Sequence, residues 1–343
     1  MTTPLDPAAS AAPFAGLPRR QALLAGALGL GGAMLGACAG SNTSATGGAA
    51  GVAASARRSL RIAHLTDLHI QPELRATEGV TACLKAVSAE KPDLIVTGGD
   101  LIFDGFEQDR ARTQLQWDLL TRTFADHAPC PVLHTLGNHD IWGWHKGKSK
   151  TTGTEPGWGK AWACQALKME RPYNVSEHNG WRIIRLDSTH PDATDPNGYI
   201  ARLDPAQRDW LEAELKRPTP AAHTLVVSHI PILSATPLLR KPNQNADEDW
   251  LIRGGQMHTD SAEIRALLES PQARVRAAIS GHMHRLERLD VRGITYMCNG
   301  AVSGSWWKGP HHEAQEGFML LDMFSDGAIA SRYCTYGWTA DRA

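Results

Sequence analysis

The sequence predicts an α/β domain in which two packed β-sheets carry helices on their outer faces. Short apolar, strand-like runs alternate with amphipathic helical segments from about Ser59 onward, and after Val275 the chain turns to strands and tight turns. Alternating βα units followed by a β-rich end are typical of a layered α/β architecture. Of the 343 residues, the part from Ser59 onward is long enough for one large domain.

Five of the strand-like runs end in a short polar motif. The runs are Leu60 to Thr66, Leu94 to Thr97, Val132 to Leu136, Leu225 to Ser228 and Val275 to Ser280. The motifs that follow are Asp67-Leu68-His69, Gly99-Asp100, Gly137-Asn138-His139-Asp140, His229 in Ser228-His229-Ile230-Pro231, and Gly281-His282-Met283-His284. Because the carboxyl ends of strands meet at one rim of a sheet, these motifs are expected to lie together. The glycines beside them favour sharp turns.

Helices are predicted between these strands. The segments are Thr77 to Glu90, Glu107 to Ala125, Gly159 to Lys168, a helix opened by Asp204-Pro205, and a helix opened by Asp260 and Glu263. Pro205 suits a first helical turn, and the spacing of Asp260 and Glu263 resembles that of a capping box. His178, next to Asn179-Gly180, is predicted to lie at a hairpin turn.

The motifs contain carboxylates, imidazoles and one side-chain amide. Such a set can hold two divalent metal ions about 3.5–4 Å apart that share one bridging carboxylate. Neutral His ligands suit Fe, Mn or Zn, whereas all-oxygen Mg and Ca sites rarely recruit four of them. Each motif alone is more often a turn, a cap or a core histidine, so the prediction depends on their conjunction.

On these motifs the chain resembles the calcineurin-like metallophosphoesterase superfamily, from roughly Ser59 to Gly337. The resemblance implies a four-layer αββα sandwich of two mixed β-sheets flanked by helices. It implies a first metal held by Asp67, His69, Asp100 and His284, and a second held by Asp100, Asn138, His229 and His282. It also implies that His139 stays unliganded near the substrate and assists the leaving group, that Asp140 hydrogen-bonds His139, and that an activated water attacks phosphorus.

Phe103 separates the chain from one branch of that superfamily. Purple acid phosphatases, which have similar motifs, place a metal-binding tyrosine three residues after the bridging aspartate and lack a histidine at the position of His69. The chain therefore looks like the Asp-x-His branch, which includes cyclic-nucleotide and other phosphodiesterases.

Tryptophans are frequent in the predicted motif loops. Trp142 and Trp144 follow Asp140, and Trp306 and Trp307 follow the last motif. They either rim the substrate site, where an indole can stack on a ring, or pack the loops together. The sequence favours neither interpretation.

The N-terminus resembles an export signal. Arg19-Arg20 precede an uncharged run from Gln21 to Ala37, as in a Tat-type signal peptide, and Leu35-Gly36-Ala37-Cys38 resembles a bacterial lipobox. We therefore predict a signal peptide over 1–37, a lipid-anchored flexible linker over 38–58 that starts at Cys38, a catalytic domain over 59–337 and a tail over 338–343. The alternatives are a simple cleaved signal with an incidental cysteine and a weak anchor helix.

The net charge and the cysteine spacing add little to the prediction of function. The net charge is −1, and loss of residues 1–37, with Arg19, Arg20 and Asp6, changes it to −2, which gives no indication of nucleic-acid binding. Five cysteines follow Cys38 in no zinc-knuckle spacing, and a Cys298–Cys334 pair stays open.

The sequence thus predicts an exported, binuclear metal-dependent phosphoric ester hydrolase of the periplasm or cell envelope. A phosphodiesterase acting on a small phosphate ester is preferred to a phosphomonoesterase. A non-catalytic binding lipoprotein on the same scaffold is the alternative from another class. Membrane contact is expected only through the N-terminal lipid or signal.

Overall fold

Two large β-sheets form the centre of the described part of the chain. The computed structural model describes residues 56–239 and 244–341. The first sheet has the order β13-β12-β1-β2-β3, and its strands are β1 (Arg58–Leu65), β2 (Leu94–Thr97), β3 (Val132–Leu133), β12 (Gly317–Phe324) and β13 (Ile329–Thr335). Strands β1, β2 and β3 are parallel, and β12 and β13 are antiparallel to their neighbours, so the sheet is mixed.

The second sheet has six strands in the order β10-β11-β9-β8-β5-β4. They are β4 (Asn174–His178), β5 (Trp181–Leu186), β8 (His223–Ser228), β9 (Val275–Ser280), β10 (Glu287–Val291) and β11 (Ile294–Cys298). Its four central strands are parallel, and its edge strands β4 and β10 are antiparallel. A separate hairpin joins β6 (Thr189–Pro191) and β7 (Tyr199–Ala201).

Alternate residues of each strand enter different layers, as a pleated strand requires. Ile62 of β1 faces a core between the two sheets, together with Ile183 of β5. Its neighbour Ala63 faces a second core, beneath the helices that cover the first sheet. Ile184 of β5 faces a third core, beneath the helices that cover the second sheet. This layering confirms the predicted two-sheet sandwich with outer helices.

The helices follow the predicted order with different ends. They are α1 (Ala76–Glu90), α2 (Arg110–His127), α3 (Lys146–Ser149), α4 (Ala161–Ala166), α5 (Pro205–Lys216) and α6 (Ser261–Leu268). Helix α2 begins three residues later than predicted because Asp109 caps it, its side chain accepting a hydrogen bond from the backbone N–H of Arg112. Asp204 caps α5 in the same way, accepting from Gln207.

Two local predictions have opposite outcomes. The predicted capping box at α6 is wrong, because the Asp260 side chain makes no hydrogen bond with the first turn of the helix. Its carboxylate instead accepts hydrogen bonds from the backbone of Leu203 and from the His258 ring. The predicted hairpin turn is confirmed: β4 ends at His178, and Asn179 and Gly180 have φ of 47° and 84°.

Arg19, Arg20, Cys38 and the linker up to residue 55 lie outside the described residues. Cys298 and Cys334 are both free thiols, so they form no disulfide with each other. Within the described ranges we find no helix that is long and apolar enough to cross a membrane.

Candidate metal centre

The five sequence motifs meet where the parallel strands of the two sheets end. Asp67 and His69 follow β1, Asp100 follows β2, and Asn138 and His139 lie in a short 3₁₀ helix after β3. His229 follows β8, and His282 and His284 follow β9. The first sheet and the second sheet therefore both contribute candidate ligands to one site.

One group of potential ligands gathers around Asp67. The Nε2 atom of His284 lies 3.2 Å from Oδ1 of Asp67 and 3.1 Å from Nε2 of His69. Ligands that bind one ion at about 2.0–2.2 Å in a tetrahedral arrangement lie a little over 3 Å apart. The spacing of these three side chains fits a single divalent ion, and all three are buried.

A second group gathers around His229. Its Nε2 atom lies 3.1 Å from Oδ2 of Asp100 and 3.2 Å from Oδ1 of Asn138. His282 belongs to the same group, with its ring centroid 5.1 Å from that of His229. The Asp100 oxygen that faces His229 also lies 3.8 Å from Nε2 of His69, so Asp100 stands between the two groups.

Hydrogen bonds at the far side of two rings fix which nitrogen is available for a metal. The Nδ1–H of His229 donates to the carbonyl of Gly98 at 2.7 Å, and that of His284 donates to the carbonyl of Gly304 at 2.6 Å. A carbonyl can only accept, so Nδ1 carries the hydrogen in both rings. The Nε2 atoms then point into the site, as in metal-binding histidines.

Backbone strain is concentrated at the candidate ligands. Five of them have φ in the left-handed region, which is uncommon for residues other than glycine: Asp67 (55°), His69 (44°), Asp100 (53°), His282 (66°) and His284 (53°). Each such residue costs about 1–3 kcal/mol and persists only where the surrounding structure enforces it. Clustering of this strain marks the strand ends as a functional site.

The backbone at Gly281 lies so close to the β1 motif that this position has no room for a side chain. A Cβ atom on Gly281 would lie 1.8 Å from the Thr66 hydroxyl and 2.4 Å from Oδ2 of Asp67. The absence of a side chain allows the backbone N–H of His282 to donate to both oxygens of Asp67 at 3.0 Å. Gly281 therefore joins the β9 motif of one sheet to the β1 motif of the other.

The site contains buried groups of both charges. Burial lowers the pKa of His69 to about 3 and of His282 to about 4, so both rings are neutral at physiological pH, the form that binds a metal. Burial alone would raise the pKa of Asp67 and Asp100, but nearby imidazoles, chiefly His284 and His229, hold both pKa values well below the ordinary range. The two carboxylates are therefore ionised.

His139 lies beside these groups, and its side-chain partner is not the predicted one. The Asp140 carboxylate makes no hydrogen bond or ion pair with the His139 ring; it accepts hydrogen bonds from the backbone N–H groups of Leu101, Ile102 and Gly137. Asp104 instead lies 3.6 Å from Nδ1 of His139. The prediction for Asp140 is wrong because its side chain turns into the loop backbone.

Sequence reasoning missed Asp104. The available signal was its place four residues after Asp100, in the same loop at the end of β2. Burial opposes the charged form of His139, but Asp100 and Asp104 outweigh burial and raise its pKa to about 9. His139 therefore carries a proton at neutral pH and can donate it.

Comparison with known proteins agrees with this geometry. The sequence model of the calcineurin-like phosphoesterase family matches residues 60–286, a span that includes all five motifs. The chain belongs to the calcineurin-like phosphoesterase family. It is thus a hydrolase that acts on phosphoester bonds, and its clustered Asp and His side chains could bind the metals typical of that family.

Solved structures show the same fold at low identity. A dimetal phosphatase from Danio rerio is 14% identical with a TM-score of 0.54, and the match covers 82% of this chain and 100% of that one. A purple acid phosphatase from yellow lupin (Lupinus luteus) seeds is 15% identical with a TM-score of 0.51, covering 81% and 51%. No curated protein sequence matches.

Two cavities border the candidate metal centre, and together they are called the cleft. On one side a cavity of about 330 Å³ is bordered by His282 and His284, and on the other a cavity of about 490 Å³ is bordered by Asn138 and His139. Asn197 and Tyr199, from the hairpin of β6 and β7, border both cavities. Each cavity lies in the size range of small-molecule sites.

Of the four tryptophans considered for the rim of the substrate site, one borders this cleft. Trp306 lines the smaller cavity, with its ring centroid 4.5 Å from that of His284. For Trp142 and Trp307 the rim interpretation is wrong, because both are buried: Trp142 packs on Trp162, and the Trp307 indole donates to the carbonyls of Leu68 and His69.

Trp144, the remaining candidate for the rim, is half-buried in a loop cluster. Its ring centroid lies 6.1 Å from that of Phe106 and 5.3 Å from the Lys160 ammonium, and it lines neither cavity. The loop tryptophans other than Trp306 therefore pack the motif loops against the domain.

Proposed function

We propose that the protein is an exported phosphodiesterase that depends on two divalent metal ions. The observation that supports it most directly is the position of the candidate metal centre between two cavities. A phosphodiester has two substituents on its phosphorus, and a cleft open on both sides can hold both of them. The aromatic and polar lining suits small organic esters.

In this proposal the ligands are shared between two ions. Asp67, His69 and His284 would hold the first, Asn138, His229 and His282 would hold the second, and Asp100 would be available to both. When bound, two such ions would supply Lewis acidity to the phosphoryl oxygens and an activated water. The neutral amide of Asn138 limits the total ligand charge, which preserves that acidity.

The residues of the chain then position and protonate the substrate. His139 borders the larger cavity, where its proton can reach a leaving oxygen. Asp104 holds a proton on His139 through its charge. Phe103 borders the same cavity and has no oxygen to offer a metal, so we expect no ferric–tyrosinate colour.

A hydrolysis panel tests the proposed reaction. The purified, metal-loaded enzyme would be offered p-nitrophenyl phosphate, bis-p-nitrophenyl phosphate, cyclic nucleotides and glycerophosphodiesters. We expect diesters to be preferred by kcat/KM. A preference for the monoester would indicate a phosphomonoesterase, and no metal-dependent turnover of any ester would indicate a binding protein.

Asp100→Ala tests the shared ligand. Because Asp100 faces both groups of ligands, the variant should lose most of its metal and its turnover together. Asp109→Ala, which removes a carboxylate at the exposed start of α2, is the matched control. Full occupancy by two metals in Asp100→Ala, measured by elemental analysis, would overturn the assignment.

The proposed export follows from the sequence of the N-terminus. Replacing Arg19 and Arg20 with lysine should leave active precursor in the cytoplasm, because a Tat route requires both arginines. Cys38→Ser should release the enzyme from the membrane or leave it uncleaved. Cell fractionation measures both, and export that survives the arginine replacement would contradict the route.

A further inference from the structure

The two sides of the cleft differ in charge. Among the described residues that line the cavity beside His284 there is no carboxylate, and two are arginines, Arg253 and Arg285. The cavity beside His139 has two carboxylates, Asp104 and Glu107. Its one lysine, Lys148, already lies 2.7 Å from Glu107. An excess of positive charge is therefore confined to the side of His284.

Both arginines keep hydrogen-bond donors available. Arg253 is exposed, and its guanidinium makes no ion pair or hydrogen bond with another described residue. Among the described residues the Arg285 guanidinium has one ion-pair partner, Glu313, whose Oε2 atom lies 3.4 Å away and whose side chain is 51% exposed. A guanidinium has five N–H donors and binds phosphate or carboxylate in a bidentate manner.

The walls of this cavity also suit a bound organic group. Trp306 presents an indole ring beside His284, and the amide side chains of Asn197 and Gln256 border the same space. The volume, about 330 Å³, is at the lower end of the range for small-molecule sites and exceeds the needs of a lone phosphoryl group. It can therefore hold a substituent of the ester.

We propose that the cavity between His284 and Arg253 is a substrate subsite for a second anionic group, a phosphate or a carboxylate. In the proposed function the leaving oxygen lies beside His139, which borders the opposite cavity, so that group belongs to the substituent that stays on the phosphorus. The natural substrate is then a phosphodiester with one additional negative charge. This inference rests on the proposed phosphodiesterase function.

Four p-nitrophenyl phosphodiesters with the same leaving group test the subsite. In each of two pairs one member has an added anionic group: the 2-carboxyethyl ester against the 2-carbamoylethyl ester, which has an uncharged amide of similar size, and the thymidine 5′-ester with a 3′-phosphate against the same ester without it. With the metal-loaded, full-length enzyme we expect kcat/KM to favour the charged member of at least one pair by about 10- to 100-fold, the effect of hydrogen bonds to a charged group. The pair that shows the preference identifies phosphate or carboxylate as the bound group.

Arg253→Gln and Arg285→Gln should each reduce that ratio toward one. Arg288→Gln is the matched control, because Arg288 is an exposed arginine that pairs with Asp290 and lies outside the cavity lining. Added salt should reduce the ratio of the wild-type enzyme, since it screens exposed charges.

The outcomes separate this inference from the function on which it rests. Hydrolysis of all four esters without a preference for charge, or a ratio that is unchanged in both arginine variants, would overturn the subsite alone. Equal losses for charged and uncharged esters would also overturn it, because the arginines would then serve the reacting phosphate. Hydrolysis of none of the esters would overturn the phosphodiesterase function and the subsite together.

Discussion

At the scale of single residues, the charge state of His139 depends on a carboxylate outside the recognisable motifs. Asp104 lies 3.6 Å from the His139 ring and, with Asp100, raises its pKa to about 9. A general acid acts only while it is protonated, so the metal-loaded enzyme should lose activity as pH rises through its own His139 pKa, which bound cations would lower from this metal-free value.

Asp104→Asn should lower the pKa of His139 and therefore move the alkaline loss of activity to lower pH. An opposite charge at this distance shifts a pKa by about one to three units. The measurement is kcat/KM against pH for an ester with an alkyl leaving group. Glu107→Gln, in the same cavity but paired with Lys148, should leave the profile in place. If the pH of the alkaline loss of activity is the same in Asp104→Asn as in the wild-type enzyme, Asp104 does not set the charge state of His139.

His139→Ala should retain the metals and lose turnover. For a poor leaving group we expect a loss of roughly 10²–10⁴-fold in kcat, the usual contribution of a general acid. The loss should be smaller for p-nitrophenolate, which leaves with little need for a proton. Equal losses for good and poor leaving groups would instead indicate that His139 stabilises charge on the phosphoryl group.

At the scale of elements, Asp140 joins the loops that follow β2 and β3. Its buried carboxylate accepts from the backbone of Leu101 and Ile102 in one loop and of Gly137 in the other. These loops contain Asp100 and Asn138, so the hydrogen bonds of Asp140 set the distance between two candidate ligands.

Asp140→Asn should destabilise the fold by roughly 2–4 kcal/mol, because one amide cannot accept from all three N–H groups and a buried donor loses its partner. The free energy of unfolding, measured in denaturant on metal-free protein, excludes an effect through metal binding. Asp109→Asn is the control, since asparagine also caps helices well. Equal stability of the two variants would show that the three hydrogen bonds matter little.

At the scale of the whole molecule, the candidate ligands come from both sheets. Asp67, His69, Asp100 and Asn138 follow strands of the first sheet, and His229, His282 and His284 follow strands of the second. Bound ions would therefore hold the two sheets together at this rim, since in the proposed assignment each ion would take ligands from both.

Removal of metal with a chelator should lower the thermal midpoint of unfolding by roughly 5 °C or more, because a ligand that binds only the folded state stabilises it. Calorimetry with and without chelator measures the change. Asp100→Ala should unfold at nearly the same temperature in both conditions. An unchanged midpoint for the wild-type enzyme would show that the ions do not join the sheets.

The sequence by itself determined the layered α/β class, the order of most elements and the five motifs. These are local properties: apolar periodicity, Pro205 at a helix start, Asn179-Gly180 at a turn, and polar motifs at strand ends. The conjunction of the motifs then predicts the family. The match of the family model over residues 60–286 confirms that prediction.

Only the tertiary structure decided which side chains face one another. It placed Asp104 at His139, turned Asp140 into the backbone, buried Trp142 and Trp307 and left Trp306 on the cleft. It also brought Arg253 and Arg285 to one cavity although they are distant in sequence. Side-chain direction and burial depend on packing between elements, and no local pattern encodes that packing.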